Sequence, residues 1–214
     1  MKRIGILTRD CAGINTAIRA VVRTACHYNI EVLGVQRGYE GLINGEIIKL
    51  DRRSVSGIIS LGGTILKTTR ANKYKLPTIG IPATIDNDIC GVDLAIGSDT
   101  AVNVAVDALD KIRDTATSLE RIFVVEVMGR DYGYIALQVG LASGCEEVLI
   151  PEKEFDKKRM CEEISEGNVS GKVSWIVIVA EGKAKAEDVA KTIIEGTGLE
   201  TRIAVLGYIQ RGGS

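Results

Sequence analysis

The sequence predicts an α/β protein of two lobes, built from mostly parallel sheets flanked by helices. Strand-like and helix-like segments alternate along the whole chain, the pattern of parallel sheets covered by crossover helices. One strand, "RIFVVEV", is a nearly unbroken apolar run, as expected of a strand buried on both faces. Glycines and charges gather where strands stop, in "TIDND", "MGRDYG", "AEGK" and "YIQRGGS". Those are the places where open α/β sheets bind ligands.

The elements follow in order. "RIGILT" (residues 3–8) is a strand, and "AGINTAIRAVVRTACHY" carries apolar residues at helical spacing. "EVLGVQ" (31–36) is a second strand, and the glycines of "RGYEGLINGE" predict a turn. "SVSGIIS" gives a short helix ahead of a tight "LGGT". "LPTIGIP" is β-branched and bounded by prolines, which predicts a buried strand, with Asp86 and Asp88 just past its carboxyl end. In "SDTAVNVAVDALDKIRDTAT", Val102, Val106, Leu109 and Ile112 share one helical face, with Ser98 or Asp99 as N-cap. After "RIFVVEV" come a helix over about 132–141, the strand "EVLIP" and a polar helix over about 155–166. The strand "SWIVIVAE", a helix over about 186–195 and the strand "TRIAVLGY" close the series. A hinge near 91–97 divides the chain into lobes 1–97 and 98–214.

Composition narrows the function. A chain of 214 residues that is 45% hydrophobic and 26% charged can bury a sizeable core. Its formal net charge of -1 argues against nucleic acid or a membrane surface as partner. No apolar run reaches the roughly 18 residues of a membrane span, and no leader pattern precedes the first strand. Five cysteines with no CxxC pair predict reduced thiols and a cytoplasmic protein. The one histidine, His27, falls on a helix surface, which disfavours a zinc site or a Ser–His–Asp triad. Phosphoryl transfer run by Asp, Arg, Gly and Mg²⁺ needs no histidine.

Asp86, Asp88, Arg130, Glu181, Arg202 and Arg211 all fall near strand ends and are expected to converge. Taken singly, each could equally be an N-cap or a surface residue. Together they offer guanidinium forks for phosphate and carboxylates able to take a proton from a sugar hydroxyl. That combination outlines a phosphosugar site.

"GGTILKTTR", "TIDND", "IRDTATSLER", "VVEVMGR", "ETR" and "LGYIQRGGS" together resemble the bacterial 6-phosphofructokinase family, in the same order and, from Thr84 onward, at the same spacing. The resemblance implies transfer of the ATP γ-phosphate to the 1-hydroxyl of fructose 6-phosphate, the glycolytic step, with Mg²⁺. By position, Asp86 resembles the general base, Thr84 the residue that orients it, and Arg130 an arginine that stabilises transition-state charge. Asp88 supports the carboxylate and metal environment. Met128, Gly129 and Glu181 would hold the sugar. Arg211, with Arg121 and Arg202 from a neighbouring subunit, would clamp the 6-phosphate. Arg70 would lie near the transferring phosphates. An effector site for ADP or phosphoenolpyruvate would draw on Arg19, Arg23, Arg52, Arg113, Glu146 and Lys172. A homo-oligomer, a tetramer in the family, is implied.

The sequence also departs from that pattern. The family's GGDxPG loop after the first strand is replaced by "LTRDCAGIN", two residues shorter and without the paired glycines. "KTTRANKYKLPTIGIP" runs from Arg70 almost directly into the next strand, where the family has a helix, a strand and a GGDGS loop for ATP and Mg²⁺. The chain ends at Ser214, inside a motif after which the family continues. Tyr208 replaces a histidine that contacts the 6-phosphate, and a phenol still donates one hydrogen bond. Ala83 replaces a glycine of ATP-dependent members, or a lysine of pyrophosphate-dependent ones, and leans to the ATP type. Retained acceptor-side residues beside lost donor loops leave two rival expectations: a non-catalytic phosphosugar- and effector-binding protein, or a structural fragment without activity.

Overall fold

The computed structural model describes residues 2–68 and 79–213. These fall into two compact units: Met1–Thr84 with Leu94–Gly97 and Arg211–Ser214, and Ile85–Asp93 with Ser98–Gln210. The aspartates of "TIDND" therefore group with the second unit.

In the first unit, β1 (Arg3–Ile6) pairs in parallel with β2 (Glu31–Val35), and β2 pairs antiparallel with β3 (Ile47–Leu50). Helix α1 (Ile14–His27) buries Ile14, Ile18, Val22 and Ala25, and Ile18, Val22 and Ala25 pack with Val32, Leu50 and Leu66. His27 is exposed in its last turn. The predicted turn after β2 is instead a helix, α2 (Gly38–Asn44). Gly41 marks close packing there: a Cβ would fall 1.7 Å from the Gln36 carbonyl oxygen. The short edge strand β3, mostly exposed, escaped the sequence pattern.

The buried strand expected in "LPTIGIP" does not form over 79–82, where Ile79 is 97% and Ile81 49% exposed; residues 76–78 lie outside the described residues. Pro82 has no N–H to give a ladder, and its carbonyl accepts from Ile96 N–H at 2.9 Å. Pairing is confined to two residues, β4 (Ala83–Thr84) with β5 (Ile96–Gly97), in parallel.

The second unit is a three-layer sandwich. Its strands β6 (Ile122–Val127), β7 (Glu147–Leu149), β8 (Trp175–Ala180) and β9 (Thr201–Val205) form one parallel sheet in the order β7-β8-β6-β9. Alternate residues of β6 and β8 serve opposite faces, as strand geometry requires. Val125, Val127, Ile176 and Ile178 join the core with α3 (Ser98–Leu119) and α4 (Tyr134–Ser143). Val124, Val177 and Val179 join the core with α5 (Lys157–Val169) and α6 (Ala186–Thr197). The predicted stripe of α3 is the one used: Leu109 is buried and Val102, Val106 and Ile112 pack beside it.

Ile178 is fully buried on a central strand. Ile178→Ala is expected to lower the unfolding free energy by about 2–5 kcal/mol. The readout is a lower urea midpoint at unchanged slope; an unchanged midpoint would show that this face is not a packed core.

Candidate functional site

The site grows out of the way β6 ends. Along β6, even-numbered residues bond to β9 and odd-numbered ones to β8, with Leu206 N–H donating to the Glu126 carbonyl (3.0 Å) and Glu181 N–H to that of Val127 (2.9 Å). Beyond Val127 side chains take over. Met128 N–H donates to Gln210 Oε1 at 2.8 Å. Gly129 and Arg130 N–H both donate to Glu181 Oε1, at 3.2 and 2.9 Å. Three consecutive amides of the "MGR" turn are thereby fixed from two sides.

This clamp holds a backbone that few residues adopt. Gly129 has φ 145° and a Cβ there would meet the Tyr132 carbonyl oxygen at 2.5 Å, so glycine is required. Arg130 is left-handed at φ 51°, a conformation that persists in a non-glycine residue only where neighbours impose it. Its Nε reaches Asp86 Oδ2 at 3.2 Å, joining a guanidinium 58% exposed to a carboxylate only 5% exposed. Asp86 is seated by its neighbours: Ile85 is buried in the core, and Asn87, also left-handed at φ 53°, donates from Nδ2 to the Asp93 carbonyl at 3.1 Å. Asp88 is half-buried two residues on.

The other expected residues are distributed as follows. Thr84 ends β4, half-buried. Tyr208 is 79% exposed in a 3-10 turn, Gly207–Arg211. Arg211 belongs to the first unit, where its Nη2 donates to Asp10 Oδ2 at 2.6 Å. Arg70 lies outside the described residues.

Arg202 corrects the expected convergence. It sits opposite Phe123 near the start of β9, so it is at the amino end of the sheet whose carboxyl end carries Glu181 and the "MGR" turn. The strand "TRIAVLGY" already has this arginine at its start, so lying near a strand end did not put it at the carboxyl end. Arg121, just ahead of β6, is at that same amino end, and Glu200 bonds both: Arg121 Nε at 2.9 Å and Arg202 Nη2. Glu146 lies there too. Its Oε1 pairs with Lys172 Nζ at 2.8 Å and its Oε2 accepts from Ile176 N–H at 2.7 Å, while Lys172 stands 4.5 Å over the Trp175 ring. Arg113 donates from Nη2 to the Ser143 carbonyl. Between Arg113 and Glu146 the Cys145 thiol is pushed up to about 11, chiefly by burial and then by the Glu146 charge. Arg19 and Arg23 on α1 and the exposed Arg52 belong to the first unit.

Gln210 and Glu126 were not singled out in the sequence. Glu126, 7% exposed, accepts from the Ala186 N–H at the start of α6 at 2.8 Å and pairs with Lys185. Its one signal was a lone carboxylate in an apolar strand. Among the described residues no group of three or more His, Cys, Asp or Glu could hold a metal ion unaided. Mg²⁺ bound with a nucleotide does not need such a group, because one or two carboxylates and the substrate phosphates suffice; Asp88 fits that part.

A parallel α/β unit carrying an arginine–carboxylate pair beside its strand ends has the layout in which such sheets bind small ligands. The Phosphofructokinase family model matches residues 3–76 and 70–214. "ATP-dependent 6-phosphofructokinase 1" of Clostridium perfringens is 45% identical over 255 aligned positions, covering all of this chain and 80% of that protein. "ATP-dependent 6-phosphofructokinase" of Clostridium tetani is 47% identical with the same coverage. The solved phosphofructokinase of Saccharomyces cerevisiae matches with TM-score 0.91 at 29% identity, covering all of this chain and 39% of that one. The chain belongs to the phosphofructokinase family. Its 214 residues span 255 positions of the clostridial alignments, so at least 41 positions have no counterpart here, and the two matched stretches meet at 70–76.

Proposed function

We propose that this chain binds fructose 6-phosphate and transfers the ATP γ-phosphate to its 1-hydroxyl. The observation that carries the proposal is the Asp86–Arg130 pair, 3.2 Å apart, with Arg130 on a turn whose amides are held by side chains. Asp86 takes the proton of the 1-hydroxyl as that oxygen bonds to the γ-phosphorus. The bond from phosphorus to the β–γ bridging oxygen breaks, and ADP leaves with its electron pair. Thr84 orients Asp86. Arg130, exposed enough to swing from Asp86 to the phosphoryl oxygens, offsets charge as it develops. Glu181 fixes the turn through Oε1 and accepts a sugar hydroxyl at Oε2, and the sugar rests against Met128 and Gly129. Asp88 would hold Mg²⁺, which neutralises phosphate charge when bound.

Arg211 and Tyr208 would meet the 6-phosphate. Arg121 and Arg202, paired through Glu200 at the opposite end of the sheet, suit the site of a neighbouring copy, hence a homo-oligomer, taken as a tetramer. Arg70 would reach the donor phosphates. Arg19, Arg23, Arg52, Arg113, Glu146 and Lys172 would serve an ADP or phosphoenolpyruvate effector. No described helix is long and apolar enough to cross a membrane, and a cytoplasmic location is proposed. Ala83 favours ATP over pyrophosphate because it leaves room and adds no charge.

A second reading is a non-catalytic sugar-phosphate sensor. It is favoured by the 41 or more positions that the relatives have and this chain lacks. A coupled assay for fructose 1,6-bisphosphate, with ATP or pyrophosphate and Mg²⁺, separates the two. Turnover with ATP is the expected result. No turnover, with a melting temperature that still rises in fructose 6-phosphate, selects the sensor, since a ligand bound only by the folded state must stabilise it. Neither turnover nor a shift would refute both readings.

A further inference from the structure

We infer that Gln210 is a positioning residue for the sugar-phosphate site, replacing the missing end of strand β9; the inference rests on the acceptor-site reading above. The β6–β9 ladder reaches Val205 opposite Glu126, and its next rung would run from Met128 N–H to the Leu206 carbonyl, following the parallel pattern. That carbonyl is already engaged, accepting Ile209 N–H at 3.0 Å as the chain turns out of the sheet. Gln210 Oε1 takes the rung instead, at 2.8 Å.

Burial alone does not explain the choice of glutamine. The residue is completely buried, and among the described residues its Nε2 has no hydrogen-bond partner. A buried donor left unpaired is unfavourable; an apolar side chain of the same shape would avoid that, but would leave Met128 N–H without its acceptor. What the amide uniquely supplies is an acceptor for Met128 N–H. With Glu181 Oε1 holding Gly129 and Arg130 N–H from the β8 side, Gln210 closes the clamp from the β9 side and fixes the backbone that aims Arg130 at Asp86. It acts through the turn, without touching substrate.

The test uses the whole chain and two variants. Gln210→Met keeps the length of the side chain and removes the acceptor; Gln210→Glu keeps the acceptor. Peptide-resolved hydrogen exchange is measured without ligand, and fructose 6-phosphate binding by titration calorimetry. The expected result for Gln210→Met is faster exchange confined to 128–130, unchanged protection over 122–126, and binding at least tenfold weaker. Gln210→Glu should restore slow exchange at 128 and bring binding to within about threefold of the wild type, its buried carboxyl staying protonated and offering its carbonyl oxygen to Met128 N–H. Exchange that rises throughout β6 and β9 would make Gln210 a packing residue and overturn the proposal. So would unchanged exchange at 128–130, or binding by Gln210→Met within twofold of the wild type. Wild type that fails to bind fructose 6-phosphate would sink the functional reading and, with it, the role claimed for Gln210 in that site, while the exchange data would still decide whether Gln210 holds the turn.

Discussion

Asp86→Asn is expected to slow fructose 1,6-bisphosphate formation by about a hundred- to ten-thousand-fold, the range for loss of a general base, with KM for fructose 6-phosphate nearly unchanged. Asparagine has the same shape, so the buried seat between Ile85 and Asn87 stays filled. Its amide cannot keep a proton taken from the 1-hydroxyl. The ion pair with Arg130 is lost too, but that guanidinium is 58% exposed and remains solvated. Its removal should therefore cost little folding stability, as expected for a partly exposed pair. The groups proposed to hold the sugar, on the 128–130 turn and at Glu181, do not depend on Asp86 for their hydrogen bonds. An effect on kcat with little on KM marks an interaction made in the transition state alone. The coupled assay at saturating ATP reads both constants, and a variant that keeps more than a tenth of the wild-type rate would remove Asp86 from the role of base.

Much of the second unit was legible because its signals are redundant. "RIFVVEV" is apolar at nearly every position, and the strand it forms is buried on both faces between two core clusters. The stripe on α3 repeats over several turns, so one ambiguous residue does not move it. The first unit was read less well where the same signal has two causes. Glycine in "RGYEGLINGE" suggested a turn, yet Gly41 lies inside a helix that the Gln36 carbonyl approaches closely. The β-branched run "TIGI" suggested burial, but a strand exists only where a partner lies beside it, and Ile79 is almost fully exposed. Site chemistry was legible as residue types at strand ends. Which strand ends face one another, and which side chains stand in for backbone, were not. Arg202 was expected to converge with Glu181 only because both lie near strand ends, although it stands at the start of its strand, and Gln210 went unnoticed because nothing in "YIQRGG" shows that its amide completes a ladder.

Gly182→Ala is expected to damage stability and binding together, and it tests how tightly the turn and β8 are fitted. A Cβ on Gly182 would fall 1.8 Å from the Arg130 carbonyl oxygen, 2.8 Å from its carbon and 3.2 Å from the Asp131 Cα. All three are backbone atoms, so no side chain can swing aside to make room. One of the two segments must move. The end of β8 is tied on both sides of Gly182, by Glu181 N–H to the Val127 carbonyl and by Lys183 N–H to that of Ala180, at 2.9 and 2.8 Å. The turn is the freer partner. To reach an ordinary contact it must shift by more than 1 Å, which stretches the Glu181 bonds to Gly129 and Arg130 and draws Arg130 away from Asp86. Overpacking of this kind costs about 1–3 kcal/mol, and a misplacement of about 1 Å at a reacting group costs about a hundredfold in rate. Gly5→Ala is the control, since a Cβ there meets nothing within 4 Å. The control should keep the melting temperature and the shift produced by fructose 6-phosphate. Gly182→Ala should melt several degrees lower and lose that shift. A Gly182→Ala protein that melts lower yet keeps the full ligand shift would mean that the turn relaxes without consequence, and that the sugar is held elsewhere.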